Sequence, residues 1–277
     1  MVNLRIFYEN FYQELRNLIY SFKNKNFPFG NKIIANKETY INKFEQAKSK
    51  NYPEVDRFEN YCGYKIDREW MNDLALHTQV VIKKSEICYA HGRILYSSLS
   101  QYIKKSKLDK SINILETGTS RGFSSLCMAK ALFDNMANGK IITIDYLPHD
   151  KKFYWNCIDD HEGKKTRREL LKKWKDLSEK YILFLEGHSK KILKKIKFER
   201  INFAFLDASH TQKAINDEFS YLSKFQKRGD IIIFDDYGNE TYFGLKIAID
   251  EICKKNDYKS NLITSSSNRG YLIATKK

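Results

Sequence analysis

The residues most able to do chemistry fall in two short segments: Asp207 and His210 in LDASH, and the pair Asp235 and Asp236 in IIIFDDY. Three carboxylates gathered at one point repel each other unless a positive charge sits among them. A hard divalent cation such as Mg²⁺, bound by carboxylates, water and substrate oxygens, is the natural partner. A histidine with an unperturbed pKa of roughly 6.5 can take a hydroxyl proton at neutral pH without first being desolvated. The set therefore suits activation of a hydroxyl, with Asp207, Asp235 and Asp236 as metal ligands and His210 and Asp207 as the catalytic pair. A metal-free reading stays open, in which Asp207 and Asp235 hold cofactor or substrate and His210 orders a loop. So does a site with two ions.

A second motif is the run Glu116-Thr117-Gly118-Thr119-Ser120-Arg121-Gly122, which follows an apolar strand and opens a helix. A glycine-rich turn of this kind lets backbone approach a bound nucleotide while the helix start offers free N–H groups. It departs from the dinucleotide fingerprint: Ser120 stands where the second glycine would admit a pyrophosphate, and Glu116 would repel one. A cationic sulfonium ligand bearing an ammonium group would not be repelled. A tight turn with no ligand is the plainer alternative, and Arg121 inside it is expected to face solvent or pair with an acid.

The elements that must position these residues can be read from about residue 108 onward. Ile112–Glu116, Lys140–Asp145, Tyr181–Glu186, Ile201–Asp207 and Ile231–Asp236 are short, apolar and rich in β-branched or aromatic residues, as buried strands are. Between them, Phe123–Phe133, Lys165–Lys180, Thr211–Lys227 and Tyr242–Lys254 have helical spacing. The alternation predicts an α/β fold with a doubly wound, mostly parallel sheet. Each strand ends on a carboxylate, so the acids gather along the edge where open α/β sheets bind ligands. Asn261–Thr264 and Tyr271–Thr275 flank a Ser-Ser-Ser-Asn-Arg-Gly turn and predict a terminal antiparallel hairpin.

Together these features resemble class I S-adenosylmethionine-dependent methyltransferases, over about 170 residues from Ser111 to the C-terminus. LDASH and IIIFDDY resemble the branch of macrocin-type and catechol-type metal-dependent O-methyltransferases. The resemblance implies a Rossmann-like, seven-stranded sheet and S-adenosylmethionine as cofactor. It places Glu116, Thr117, Gly118, Ser120 and Gly122 around the methionine part, Asp145 on the ribose hydroxyls, and Gly187, His188 and Ser189 around the adenine, with Asp207 bordering the site. It also implies Mg²⁺. The catechol-type pattern is Asp, Asp, Asn, so Asp236 is an additional carboxylate, and His210 stands where that family carries a lysine base. The implied activity is methylation of a hydroxyl on a small or carbohydrate-like acceptor.

After strand two, the segment 146–168 is longer than a connection needs. His149, Tyr154, Trp155, Asp159, Asp160, His161, Arg167 and Arg168 would suit a hydroxyl-rich or anionic acceptor, against a plain surface loop in which the two acids pair with lysines. Residues 86–277 are assigned to the methyltransferase domain and 1–85 to an N-terminal helical cap. Within the cap, 23–66 is the least regular stretch, while 68–105 has helical spacing throughout. Leu4, Phe7, Phe11, Leu15, Leu18 and Phe22 predict an amphipathic helix that docks on the body, on a second copy in a homo-oligomer, or on a membrane surface.

A net charge of +15 makes nucleic acid a partner to weigh, but 38 of the 49 basic residues are Lys and the 11 Arg are scattered. Asp207-Ala-Ser-His210 also lacks the N/D-P-P-Y/F signature of many base methyltransferases, so nucleic acid is disfavoured. A non-catalytic binding protein on the same fold is the other alternative, and the glycine spacing disfavours a dehydrogenase. There is no apolar run long enough to span a bilayer and no export signal, and five widely spaced cysteines fit reduced thiols in a cytoplasm.

Overall fold

The computed structural model describes Tyr8, Phe11, Tyr12 and residues 27–106, 111–266 and 269–277. Of the N-terminal amphipathic set only Phe11 is among them; the rest of that expected helix lies outside the described residues. Within the described residues 27–106 the helices ahead of the sheet are α1 (Lys37–Lys48), α2 (Pro53–Cys62), α3 (Arg68–Thr78) and α4 (His91–Ser106). Local chemistry sets their ends. Asn36 accepts from the Thr39 N–H at 2.9 Å and Asp67 from the Trp70 N–H at 2.8 Å. Pro53 opens α2, where its missing N–H costs nothing, and Gly63 closes it. The stretch 23–66, expected as the least regular, therefore holds two helices, and the helical stretch 68–105 holds two more. The break at 79–90 follows the β-branched run Val80-Val81-Ile82, which Asn156 pins by bonding both the N–H and the C=O of Ile82 at 3.0 Å.

The sheet is built from β1 (Ile112–Thr117), β2 (Gly139–Asp145), β3 (Ile182–Glu186), β4 (Phe203–Leu206), β5 (Ile231–Tyr237), β6 (Tyr258–Ser266) and β7 (Arg269–Lys276). Its order is β3-β2-β1-β4-β5-β7-β6, with β1 to β5 parallel and β7 antiparallel to both β5 and β6. This is the doubly wound, seven-stranded sheet with a terminal hairpin that the motifs predict. Chain order reverses between β1 and β4, which opens a crevice at their C-terminal ends. The crossover helices are α5 (Phe123–Asp134), α6 (Arg167–Leu170), α7 (Lys175–Tyr181), α8 (Ser189–Leu193), α9 (Gln212–Leu222) and α10 (Phe243–Lys255). The helix expected over 165–180 is split into α6, a 3₁₀ turn and α7, and the one over 211–227 ends as a helix at Leu222.

Side chains alternate between the two faces of the sheet with period two. Ile112, Ile114, Ile141, Phe203, Phe205 and Ile233 join α3, α4 and α5 in one apolar cluster, which also takes in residues of α1 and α2. Leu115, Ile144, Ala204, Leu206, Ile232 and Phe234 join α9 and α10 in the other. The segment after β2 has a core of its own, in which Leu147, Phe153, Trp155, Cys157 and Leu170 pack with Phe29. Several of the residues named for an acceptor make their contacts within this segment. Trp155 is buried, as is Arg167; Asp159 takes His77 Nδ1 at 2.5 Å and Lys165 Nζ at 2.8 Å; Asp160 accepts from the Trp155 N–H at 2.7 Å. Of the residues that looked able to meet a substrate, Trp155, Asp159, Asp160 and Arg167 hold the segment together.

One buried ion cluster fastens the N-terminal helices. Arg93, on α4 and buried, donates to Asp56 and to the equally buried Glu59 of α2, and Arg68 of α3 reaches Glu59 at 3.0 Å. Removing one partner of such a set leaves a desolvated charge behind. Glu59→Ala is therefore expected to lower stability by about 3 kcal/mol, read by chemical denaturation. The paired change Glu59→Leu with Arg93→Met, which strands no charge, should cost much less; equal losses would show that the cluster is not what fastens these helices.

Candidate active site

The glycine turn is built around a contact tighter than any side chain would allow. Gly118 has φ of 96°, and a Cβ there would lie 2.3 Å from the carbonyl oxygen of Asp207. The end of β1 thus lies directly against the end of β4, and the turn and the acidic cluster share a wall. Ser120 also has a positive φ, 47°, uncommon for a residue other than glycine. It is held from both sides, its N–H donating to Asp145 Oδ2 at 2.5 Å and its C=O accepting from Arg167 Nε at 2.9 Å. Asp145 accepts from Leu147 N–H as well, at 2.8 Å, and Gly187 N–H donates to the Asp145 carbonyl at 2.7 Å. Asp145, Ser120 and Gly187 therefore meet at the crevice. At Gly122, with φ of 92°, a Cβ would strike Leu171.

Two residues of the turn differ from expectation. Glu116 is fully buried beneath the turn rather than on its open side, because Ser124 and Ser125 of α5 donate to its two oxygens; burial raises its pKa and those hydroxyls oppose the rise. Arg121 is buried too, not solvent-facing. Its Nε donates to the Trp155 carbonyl at 2.7 Å and its guanidinium lies 4.3 Å from the Phe29 ring centre. Thr117 points to the opposite face of the sheet and donates to Glu218 at 3.0 Å. Beyond β3, the His188 ring runs nearly parallel to Tyr146, with centroids 6.4 Å apart, and Ser189 begins α8.

The second group sits on a β-bulge. Pairing of β5 with β7 slips between Phe234 and Tyr237, giving β5 one extra residue, and Asp236 takes a φ of 52°. The consecutive acids consequently point to different partners. Asp235 is buried and accepts from Arg269 Nη2 at 2.6 Å, whereas Asp236 has its Oδ2 3.6 Å from His210 Nδ1 and its Oδ1 3.7 Å from Arg269 Nε. The His210 ring stacks on Tyr242 at 4.5 Å. One ligand atom each from Asp207, His210 and Asp236 lies within 4.8 Å of the others. The trio that converges is thus Asp207, His210 and Asp236, while the expected ligand Asp235 is committed to a guanidinium.

Charge explains the arrangement. Burial, then the neighbouring Asp235 and Asp236, push the Asp207 carboxyl well above its ordinary range. Burial would do the same to Asp235, but the charge and hydrogen bond of Arg269 pull it below its ordinary value. Arg269 escaped the sequence reading because it sits in the hairpin turn; pairing of β7 with β5 brings it to the acids. His91 escaped it as well. Packed 4.9 Å from the Phe123 ring and stacked over Phe205, it is held neutral, with burial and then Arg269 lowering its pKa to about 3.

Comparison with known proteins agrees with this geometry. Residues 115–237, from the last residues of β1 to the end of β5, match the family described as a methyltransferase domain. The fold is similar to that of cofactor-bound Rv0187 from MTB, with a TM-score of 0.55 at 15% identity over 82% of this chain and 98% of that one. It is also similar to the O-methyltransferase TomG from Streptomyces achromogenes in complex with SAM, with a TM-score of 0.52 at 16% identity over 77% of this chain and 92% of that one. The O-methyltransferase NovP gives 0.52 at 18% identity over 71% and 83%. No curated protein matches the chain by sequence. The architecture is the Rossmann-like fold that these methyltransferases share, and the segment 115–237 is similar to a methyltransferase domain.

The Gly118 contact generates a direct test. Gly118→Ala adds a methyl group against backbone at a positive φ, so neither side can yield cheaply. A loss of at least about 2 kcal/mol is expected, read as a lower denaturation midpoint, with Thr119→Ala on the same turn as a milder control.

Proposed function

We propose that this protein is an S-adenosylmethionine-dependent O-methyltransferase acting on a hydroxyl of a small or carbohydrate-like acceptor. The observation that carries this reading is the shared wall between Gly118 and Asp207, which sets a nucleotide-type turn beside an acid-histidine group suited to activating a hydroxyl. S-adenosylmethionine supplies an electrophilic methyl group on a sulfonium. Gly118, Ser120 and Gly122 would line its methionine part, Asp145 would take the ribose hydroxyls, and Gly187, His188 and Ser189 would border the adenine. Glu116 acts from below, shaping the turn through Ser124 and Ser125.

Asp207 and Asp236 fit a divalent cation such as Mg²⁺, since half-buried carboxylates this close favour a positive neighbour. When bound, such an ion lowers the pKa of a coordinated hydroxyl. His210, its Nδ1 turned to Asp236 and its ring held on Tyr242, would accept the acceptor's proton at Nε2. Arg269 keeps Asp235 ionised and fixed, so that Asp236 is left for the site. The 4.8 Å convergence of Asp207, His210 and Asp236 favours a second reading in which His210 is a ligand rather than the base. Metal titration of His210→Ala separates the two, since loss of metal binding marks a ligand and loss of turnover alone marks a base.

Other features support a small acceptor over nucleic acid. Arg93, Arg121 and Arg167 are buried in the protein's own structure, and Arg269 is bound to Asp235, which leaves few arginines for a phosphate track. All five cysteines are free thiols, as suits a reducing compartment such as a cytoplasm, and among the described residues no helix is long and apolar enough to cross a membrane.

Calorimetry with S-adenosylhomocysteine should show binding to the wild type and none for NAD. Asp145→Ala should weaken it by about tenfold or more, about 1.4 kcal/mol. Asp207→Asn should leave that affinity within about twofold yet abolish methyl transfer to a hydroxyl acceptor. Full activity in the presence of a chelator would remove the metal from this proposal, and binding of NAD in place of the homocysteine would remove the cofactor.

A further inference from the structure

Beneath the two turns that would hold the cofactor lies a carboxyl group that the mechanism does not use. Glu218 of α9 is 2% exposed, and Thr117 Oγ1, next to Gly118, donates to its Oε2 at 3.0 Å. The hydroxyl of Ser189, on the adenine side, approaches the same carboxyl group. Its Oε1 is buried without a hydrogen-bond partner among the described residues. The surrounding helices are already fastened: Lys190 of α8 pairs with Asp217 at 2.7 Å, and Tyr221 donates to the Ile196 carbonyl. The charged groups nearby are Asp217 on the same helix and its partner Lys190. Glu116 on β1 faces the other side of the sheet, taken by Ser124 and Ser125.

We propose that Glu218 is a positioning residue that ties the Gly118 turn to the Gly187–Ser189 turn, so that both halves of the cofactor pocket are set together and respond to one protonation event. The inference rests on the cofactor reading above. Burial pushes the Glu218 carboxyl up to about 7, Asp217 adds to the rise, and the Ser189 and Thr117 hydroxyls oppose it. A group raised in this way is favoured neutral, so its contribution is complete at low pH and is lost as pH rises through about 7. A cofactor closing over both turns removes further water and favours the neutral form again. Binding above neutrality should therefore take up a proton, and affinity should fall with rising pH.

The test is calorimetry of the full chain with S-adenosylhomocysteine between pH 6 and 8.5, in buffers of differing ionisation heat. The wild type is expected to lose affinity by about threefold or more over that range and to take up protons near pH 7.5. Glu218→Gln, a neutral isostere that still accepts from Thr117, should hold one affinity across the range and show less proton uptake than the wild type. Glu218→Ala should weaken binding about fivefold at both ends, raising KM for the methyl donor while leaving kcat at saturation within about twofold. Identical pH dependence and proton uptake in wild type and Glu218→Gln would overturn the proposal, and the Gln variant decides the matter if the Ala variant does not fold. Failure of the wild type to bind S-adenosylhomocysteine at all would instead overturn the cofactor reading, and this inference with it.

Discussion

Carboxylates crowded at the end of a buried sheet raise each other's energy, and the rest of the site is arranged around that constraint. Asp207, Asp235 and Asp236 lie where β4 and β5 end, Asp235 buried and the other two half-buried. The protein answers with a guanidinium from the adjacent hairpin, where Arg269 holds Asp235 at 2.6 Å. The same solution recurs around the turn: Arg167, buried, supports Ser120, and Arg121, buried, braces the segment after β2. The eleven arginines are few beside the lysines, but these three are spent inside, where a planar, permanently charged fork bonding several oxygens has no lysine equivalent. The excess positive charge that first suggests an external polyanion is largely lysine, whereas the cation hydrogen-bonded to the acidic cluster is an arginine, Arg269.

Much of the fold was legible because it depends on period and composition. Strands such as IIIFDD and INILE are apolar on both faces, as a parallel sheet covered by helices on each side requires, and the terminal hairpin followed from its turn residues. What failed to show were features decided by tertiary contact. Nothing local in Val80-Val81-Ile82 announces that Asn156, far along the chain, will interrupt a helical pattern there. The split of 165–180 follows from Arg167 and Leu170 being drawn into the small core around Trp155.

The site was legible in part for the same reason. Asp145, Ser120, Gly187, Asp207 and His210 were found through strand ends and turns, which sequence marks well. Long side chains whose targets lie elsewhere in the chain were misjudged. Arg121 and Arg167 looked like surface or substrate-facing groups, since their charge gave no sign that backbone carbonyls of Trp155 and Ser120 would claim them. Glu116 was expected around the methionine part, and its burial against Ser124 and Ser125 of α5 was not read from the alternation along β1.

The bulge in β5 has a consequence for how such a site can change. In a regular strand, two adjacent acids would be forced to opposite faces of the sheet and only one could serve the crevice. With one extra residue inserted, both remain near the rim but with separate duties: Asp235 balances charge with the hairpin, while Asp236 looks toward His210. The two positions thereby have different principal partners while still sharing Arg269, whose Nε lies 3.7 Å from Asp236 Oδ1. Exchanging Asp236 for an amide would retune the side that faces His210 and leave more of the guanidinium's charge to Asp235.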